Sequence, residues 1–298
     1  MTVASDRRAT LSGLLAIVLW ATVVGLTRLV TESFGATLGN ALICTFASVA
    51  LWATRRPGRL RDLPLRYLVV CGGLFVLYQI CMGLSVGFAR DAHQAIEVSI
   101  VNYLWPTFTV LLAVALPPKT KVGWVFAPGV LLAVAGVVWV IGGDAGLDPG
   151  RMATNLAGNP VPYALALAGA LSWAFYSTLT PRLARGADGI TLFMTASAVA
   201  GWALHLVGGG SLARVPTAGG IVALGVASVV IAAGYAFWNT GVLRGNLPLL
   251  ASASYATPVL SAATASLLLG AALSASFWQG VVLVTVGSLL GWRATAHR

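Results

Sequence analysis

Charge is what this sequence has least of. Only 9% of its 298 residues are Asp, Glu, Lys or Arg, against about 25% in a soluble domain. With 58% of residues hydrophobic, a soluble fold of this length could not hide its apolar surface, so the chain reads as a polytopic membrane protein. Cysteine is scarce too. Cys44, Cys71 and Cys81 are an odd number, each in or at the end of an apolar stretch. They have neither metal-ligand spacing nor a paired framework, so they read as small core residues. No nucleophile stands beside a credible base, and there is no phosphate loop and no His/Cys/acid set. The chain is therefore expected to have no catalytic residue, no metal and no cofactor, and not to be an enzyme. No apolar stretch carries Asp, Lys or Arg at mid-depth, which argues against a carrier of phosphorylated or strongly anionic substrates. The formal charge of +10 would suggest nucleic acid in a soluble protein. Here the basic residues sit in short connections and orient helices, so no nucleic-acid partner is expected.

What the chain has in quantity is long apolar runs. Ten can be marked, at about 10–30, 35–54, 66–88, 93–116, 122–142, 161–181, 189–208, 217–243, 248–270 and 276–293. A membrane helix needs about 20 apolar residues. The first run continues to about Val30 and is kept as a span instead of a cleaved leader. With the N-terminus in the cytoplasm, only Arg28, Arg90, Arg151 and Arg214 fall on the far side. The other fourteen of the eighteen basic residues lie on the near side, which by the positive-inside rule puts both termini in the cytoplasm.

The longest linker between runs, Gly143 to Pro160, divides them five and five. Asn102-Tyr103-Leu104-Trp105-Pro106 in the fourth run is answered 152 residues later by Ser254-Tyr255-Ala256-Thr257-Pro258 in the ninth. Trp20 aligns with Trp173, and Ala89-Arg90 with Leu243-Arg244. Because five is odd, the second half crosses in the opposite sense. The expected fold is all-α, with ten transmembrane helices in two inverted five-helix repeats, 1–150 and 151–298, around a central cavity. Pro106 and Pro258 each remove a backbone donor and are expected to bend their helices. Gly35-x-x-x-Gly39, Gly83-x-x-x-Gly87 and Gly287-x-x-x-Gly291 fit close helix contacts. They do not distinguish contacts within one chain from contacts between chains, and a monomer could suffice.

The candidate site is aromatic and weakly polar. Trp20, Tyr78, Tyr103, Trp105 and Trp173 fall near the centres of their runs, with Tyr235, Trp238 and Tyr255 nearer the cytoplasmic side. Trp52, Trp124, Trp278 and Trp292 lie near run ends, where aromatic belts are ordinary. Central indole and phenol groups need polar partners away from water. Helix packing with internal hydrogen bonds supplies these, and so does a cavity shared with substrate. Asn102, Gln79 and Asn239 add amides, and Ser99, Ser252, Ser254 and Thr257 add hydroxyls. Such a lining suits a molecule with a flat apolar part and a small polar head.

On these residues the chain resembles the drug/metabolite transporter superfamily. The two halves, Asn102-Tyr103-x-x-Pro106 and Tyr255-x-x-Pro258 carry that likeness. Trp20 and the Asn102–Pro106 segment are similar to the aromatic amino acid exporters of the YddG type, built of EamA-like repeats. The resemblance implies ten helices in a bacterial inner membrane and alternating-access export of aromatic and other neutral amino acids or related metabolites. It also implies cavity lining at Tyr78, Tyr103, Trp105 and Trp173 and helix bending at Pro106 and Pro258. An exporter of lipophilic cations is the alternative; it would use the membrane carboxylate Glu97 as proton site. A scaffold is a third reading, opposed by the short loops. Because Glu97 and His93 stand near the outer face, facilitated movement is expected instead of proton coupling.

Overall fold

The computed structural model describes residues 7–55, 63–116, 123–142, 149–210, 215–245, 250 and 253–296. Ser252 and the orienting charges Arg56, Arg59, Arg61, Lys119, Lys121, Arg214 and Arg298 lie outside these residues. The described residues are helical almost throughout, with no strand among them. In chain order the helices are α1 (Arg7–Ala21), α2 (Val23–Phe34), α3 (Ala36–Thr54), α4 (Gly72–Gly87), α5 (Ala92–Asn102), α6 (Trp105–Ala115) and α7 (Phe126–Gly142). They continue as α8 (Pro149–Gly158), α9 (Pro160–Leu183), α10 (Ile190–Val207), α11 (Ala218–Arg244), α12 (Thr257–Leu269) and α13 (Ala275–Ala296). A wider π turn, Tyr67–Cys71, leads into α4.

Four helical stretches are each long and apolar enough to cross a membrane: Ala36–Thr54, Tyr67–Gly87, Ile190–Val207 and Ala218–Gly241. The pair α1 and α2, bent by 40°, makes a fifth if it is one span. Phe126–Val140, Thr257–Leu269 and Ala275–Gly291 are apolar but shorter.

Three departures from the sequence reading have physical reasons. The first run is broken at Thr22, whose hydroxyl donates to the Leu19 carbonyl at 2.8 Å; a Thr bonding back to its own helix competes with the regular ladder. The linker before Pro160 contains a helix, α8. Pro106 and Pro258 do not bend helices from within. Each sits in the first turn of a new helix, α6 or α12, where the missing N–H has no intrahelical partner to lose. The breaks fall just before them, at Tyr103–Leu104 and at Tyr255–Ala256. Tight turns close both: the Leu104 N–H bonds to Val101 at 3.1 Å and the Ala256 N–H to Ala253 at 3.0 Å.

The main packing pairs are α1 with α11, α4 with α9, α3 with α10 and α7 with α13. Two of these are reciprocal. Between α3 and α10, the Trp52 indole donates to Thr195 Oγ1 and the Trp202 indole to Thr45 Oγ1, both at 3.0 Å. Residues 41–50 and 191–200 pass through buried, half-buried and exposed positions in the same order. Between α7 and α13, glycine backbones meet. A Cβ on Gly129 would stand 2.9 Å from the Gly287 carbonyl, and one on Gly280 would stand 2.8 Å from the Gly136 carbonyl. Gly287→Val is therefore expected to lower stability by about 1–3 kcal/mol, the usual range for overpacking. A fall in the thermal midpoint of the detergent-solubilised protein checks this; an unchanged midpoint would refute the close approach.

Apolar side chains form two buried cores. One gathers Val30, Leu51, Phe75, Phe193, Met194 and Ile231 from α2, α3, α4, α10 and α11. The other gathers Ile96, Ile100, Val140, Ala262 and Val281 from α5, α7, α12 and α13.

Candidate functional site

Three helices each carry two aromatic residues three positions apart: Phe75 and Tyr78 on α4, Trp173 and Tyr176 on α9, Tyr235 and Trp238 on α11. Positions i and i+3 share a helix face, and the structure turns these faces toward one another. Trp173 is the hub. Its ring centroid lies 4.6 Å from Tyr78, 5.0 Å from Tyr176 in a stacked arrangement, 6.2 Å from Phe75 and from Tyr235, and 6.4 Å from Trp105. Trp20 joins through Tyr235 at 5.6 Å and Trp238 at 5.2 Å. Gly234 makes room for it, since a Cβ there would meet the Trp20 indole nitrogen at 2.6 Å.

Of the residues expected from sequence, Trp20, Tyr78, Trp105, Trp173 and Trp238 thus join one ring network drawn from both halves of the chain. Phe75 and Tyr235 are its buried members, in contact with each other at 5.2 Å. Trp20, Tyr78, Trp105, Trp173, Tyr176 and Trp238 keep part of their surface accessible although each touches another ring. Tyr103 stands at the margin, beside Tyr78 and Ser261, and leans on the second core. Tyr255 is buried in the turn before α12, the place that Tyr103 takes before α6. Sequence reasoning passed over Phe75 and Tyr176; their three-residue spacing from Tyr78 and Trp173 was the available signal.

Two amides complete the cluster. Gln79 Oε1 accepts from the Tyr235 hydroxyl at 2.8 Å, and its amide nitrogen approaches Met194 Sδ at 3.8 Å. Asn102 is buried at the end of α5, beside Tyr78, and its side-chain oxygen has no partner among the described residues. A buried acceptor left open loses about 1–3 kcal/mol of solvation, so it is a ready place for an incoming N–H.

Glu97 stands apart. It is half-buried, accepts from the Tyr163 hydroxyl and so ties α5 to α9. His93 Nε2 meets the Ala272 carbonyl at 2.9 Å. Arg28, expected as an outer-side orienting charge, is a buried side chain of α2 that donates to the carbonyls of Val86 and Ala89. No group of three or more His, Cys, Asp or Glu capable of holding a metal occurs among the described residues.

The EamA-like transporter family matches residues 161–292. The aromatic amino acid exporter YddG of Salmonella typhimurium is 47% identical over 294 residues, covering 99% of this chain and all of that protein. YddG of Escherichia coli strain K12 is 44% identical over 97% of this chain and 98% of its own length. An uncharacterized inner membrane transporter of the same strain, YedA, is 28% identical over 66% of this chain and 65% of its own. A solved crystal structure, 24% identical, shares the fold with a TM-score of 0.62 over 96% of this chain and 98% of the other. The chain belongs to the EamA-like transporter family, among the relatives of the aromatic amino acid exporter YddG.

Proposed function

We propose that this protein exports aromatic and other neutral amino acids, or closely related metabolites, across a bacterial inner membrane. The carrying observation is the ring network around Trp173, drawn from both halves and holding amides but no charge at its centre. Aromatic faces stack a flat side chain, while Asn102 and Gln79 meet a small polar head. Export by the named relatives supports the direction of transport, and the inner-membrane relative supports the location.

The movement is alternating access between two inverted five-helix halves, 1–150 and 151–298, with both termini cytoplasmic and ten spans in all. The support is the reciprocity of the packing. Thr45 and Thr195, like Trp52 and Trp202, are 150 positions apart, and their two hydrogen bonds exchange when the halves are exchanged. Gly129 with Gly280, and Gly136 with Gly287, repeat the pattern 151 positions apart. Tyr103 and Tyr255 break their helices at matching places. Pro106 and Pro258 start the segments beyond the breaks, which serve as gating elements.

Transport is facilitated, without obligatory proton coupling. Glu97, a half-buried carboxylate in α5, bonds to Tyr163 away from the ring network. The test is uptake of labelled Phe, Trp and Met into proteoliposomes, with and without an imposed pH gradient, for wild type, Tyr103→Ala and Glu97→Gln. Aromatic uptake without a gradient, weakened in Tyr103→Ala and retained in Glu97→Gln, is the expected result. No amino acid uptake beside efflux of lipophilic cations that Glu97→Gln abolishes would replace this reading with a proton-coupled drug exporter.

A further inference from the structure

Among the described residues, ion pairs occur at Arg28–Glu32, Arg90–Asp91 and Arg55–Asp188. The first two are local to one helix or adjacent in sequence. Of these three, Arg55–Asp188 joins the two halves of the chain. Arg55 follows the last residue of α3. Its guanidinium meets Asp188 Oδ2 at 3.2 Å and donates to the Ala236 carbonyl and to Thr240 Oγ1, both at 2.6 Å. These contacts take three of its five N–H donors. Asp188 Oδ1 accepts from the Ile190 N–H at 3.0 Å and the Asn239 amide at 3.1 Å. Ala236 and Asn239 each follow a ring of the network, Tyr235 and Trp238.

A line of buried, packed aromatic rings links this pair to the centre. The Gly189 N–H, next to Asp188, donates to the Tyr67 hydroxyl at 3.2 Å. Tyr67 touches Phe193 at 5.1 Å, Phe193 touches Phe75 at 6.0 Å, and Phe75 touches Trp173 at 6.2 Å. The Arg55 and Asp188 side chains remain 29% and 35% accessible, so both charges can be reached by a solute.

We infer that Arg55 and Asp188 recognise the zwitterionic head of an α-amino acid before it reaches the aromatic cluster. This rests on the transport reading above. The substrate carboxylate takes the place of Asp188 on the Arg55 fork, and its ammonium takes the place of Arg55 on the Asp188 carboxylate. Each charge exchanges one partner for an equivalent one, so the bond between the halves opens with both charges still compensated. A molecule carrying one charge leaves either Arg55 or Asp188 unpaired, and an unpaired, partly desolvated charge is strongly unfavourable. The pair thereby selects zwitterions ahead of a central site that has no fixed charge.

The experiment measures uptake of labelled phenylalanine, phenethylamine and 3-phenylpropionate by the full-length protein in proteoliposomes. Wild type is compared with Arg55→Gln, Asp188→Asn, Arg55→Lys and Asp188→Glu. Wild type is expected to prefer phenylalanine over each analogue by about tenfold, the scale of one charge-assisted hydrogen bond. Arg55→Gln abolishes the preference over phenethylamine, which lacks the carboxylate. Asp188→Asn abolishes the preference over 3-phenylpropionate, which lacks the ammonium. If a neutral variant does not fold, Arg55→Lys decides: a compact ammonium cannot hold the Ala236 carbonyl, Thr240 and a carboxylate at once in the planar spread of the guanidinium, and the preference over phenethylamine drops severalfold. A merely structural bond would scale uptake of all three molecules together, and unchanged ratios in the folded variants would overturn the inference. Wild type that moves none of the three sinks the transport reading itself. Wild type that moves phenylalanine with no preference sinks the pair alone.

Discussion

Trp173→Ala raises the half-saturation concentration for Phe and Trp by about 10- to 100-fold, while uptake of aliphatic neutral amino acids changes much less. The reason is the position of Trp173 at the hub of the cluster, with five other rings within 6.4 Å. Removing its indole takes away the face on which a substrate ring would stack and frees Tyr78 and Tyr176 to collapse into the gap. Each aromatic contact contributes about 0.5–1.5 kcal/mol beyond burial. Two or three such contacts correspond to the stated range, at 1.4 kcal/mol per tenfold. Trp173→Phe keeps an aromatic face and is expected to recover most of the affinity. The measurement is initial-rate uptake into proteoliposomes, made on variants that elute as single species in detergent. Half-saturation for Phe within about twofold of wild type in Trp173→Ala, against the tenfold expected from lost stacking, would place the substrate elsewhere.

That Trp173 belongs to the ring network was legible in the sequence, because a Trp at the centre of an apolar run has no membrane interface to sit in. The same argument found Trp20, Tyr78, Trp105 and Trp238. It did not find Phe75 and Tyr176, since Phe is ordinary in any apolar helix and Tyr176 stands toward the helix end. Only their three-residue spacing from Tyr78 and Trp173 marks them, and that spacing has meaning once the facing helix is known. The prolines were read correctly as signals and incorrectly as kinks. A Pro in an apolar run interrupts the ladder, but whether it bends one helix or begins another depends on the residues ahead of it. At Tyr103 and Tyr255 the chain leaves the helix first. Trp52 was set aside as an interfacial anchor. Its indole also bonds to Thr195 across two helices, a pairing visible only when the second half is laid on the first at a spacing of 150. Arg55 and Asp188 were legible as charges and illegible as a pair, because 133 residues separate them.

Arg28→Met lowers the stability of the folded protein by about 2–4 kcal/mol without changing substrate preference. In sequence Arg28 is one more charge near the end of an apolar run. In the structure it is 7% exposed, and its guanidinium donates to the carbonyls of Val86 and Ala89. Those carbonyls lie at the C-terminal end of α4, where the last turn has no intrahelical donors and the helix dipole favours a cation. Hydrogen bonds to a charged donor contribute about 1.5–3 kcal/mol, and the penalty for leaving buried acceptors open comes on top. The Glu32 contact at 2.7 Å adds little, because the Glu32 side chain is 49% accessible and exposed i, i+4 pairs are worth only about 0.3–0.5 kcal/mol. Glu32→Gln should therefore leave the thermal midpoint almost unchanged while Arg28→Met depresses it. Arg28→Lys should recover only part of the loss, since an ammonium is more strongly hydrated than a guanidinium and costs more to bury beside these carbonyls. Thermal unfolding of the three variants in one detergent separates these contributions. Equal losses for Glu32→Gln and Arg28→Met would mean that the ion pair, not the capping of α4, is what Arg28 supplies. The phenylalanine-to-analogue ratios of Arg28→Met at a temperature where it stays folded complete the test. They remain at wild-type values if this arginine fixes a helix end and Arg55 is the one that reads the substrate.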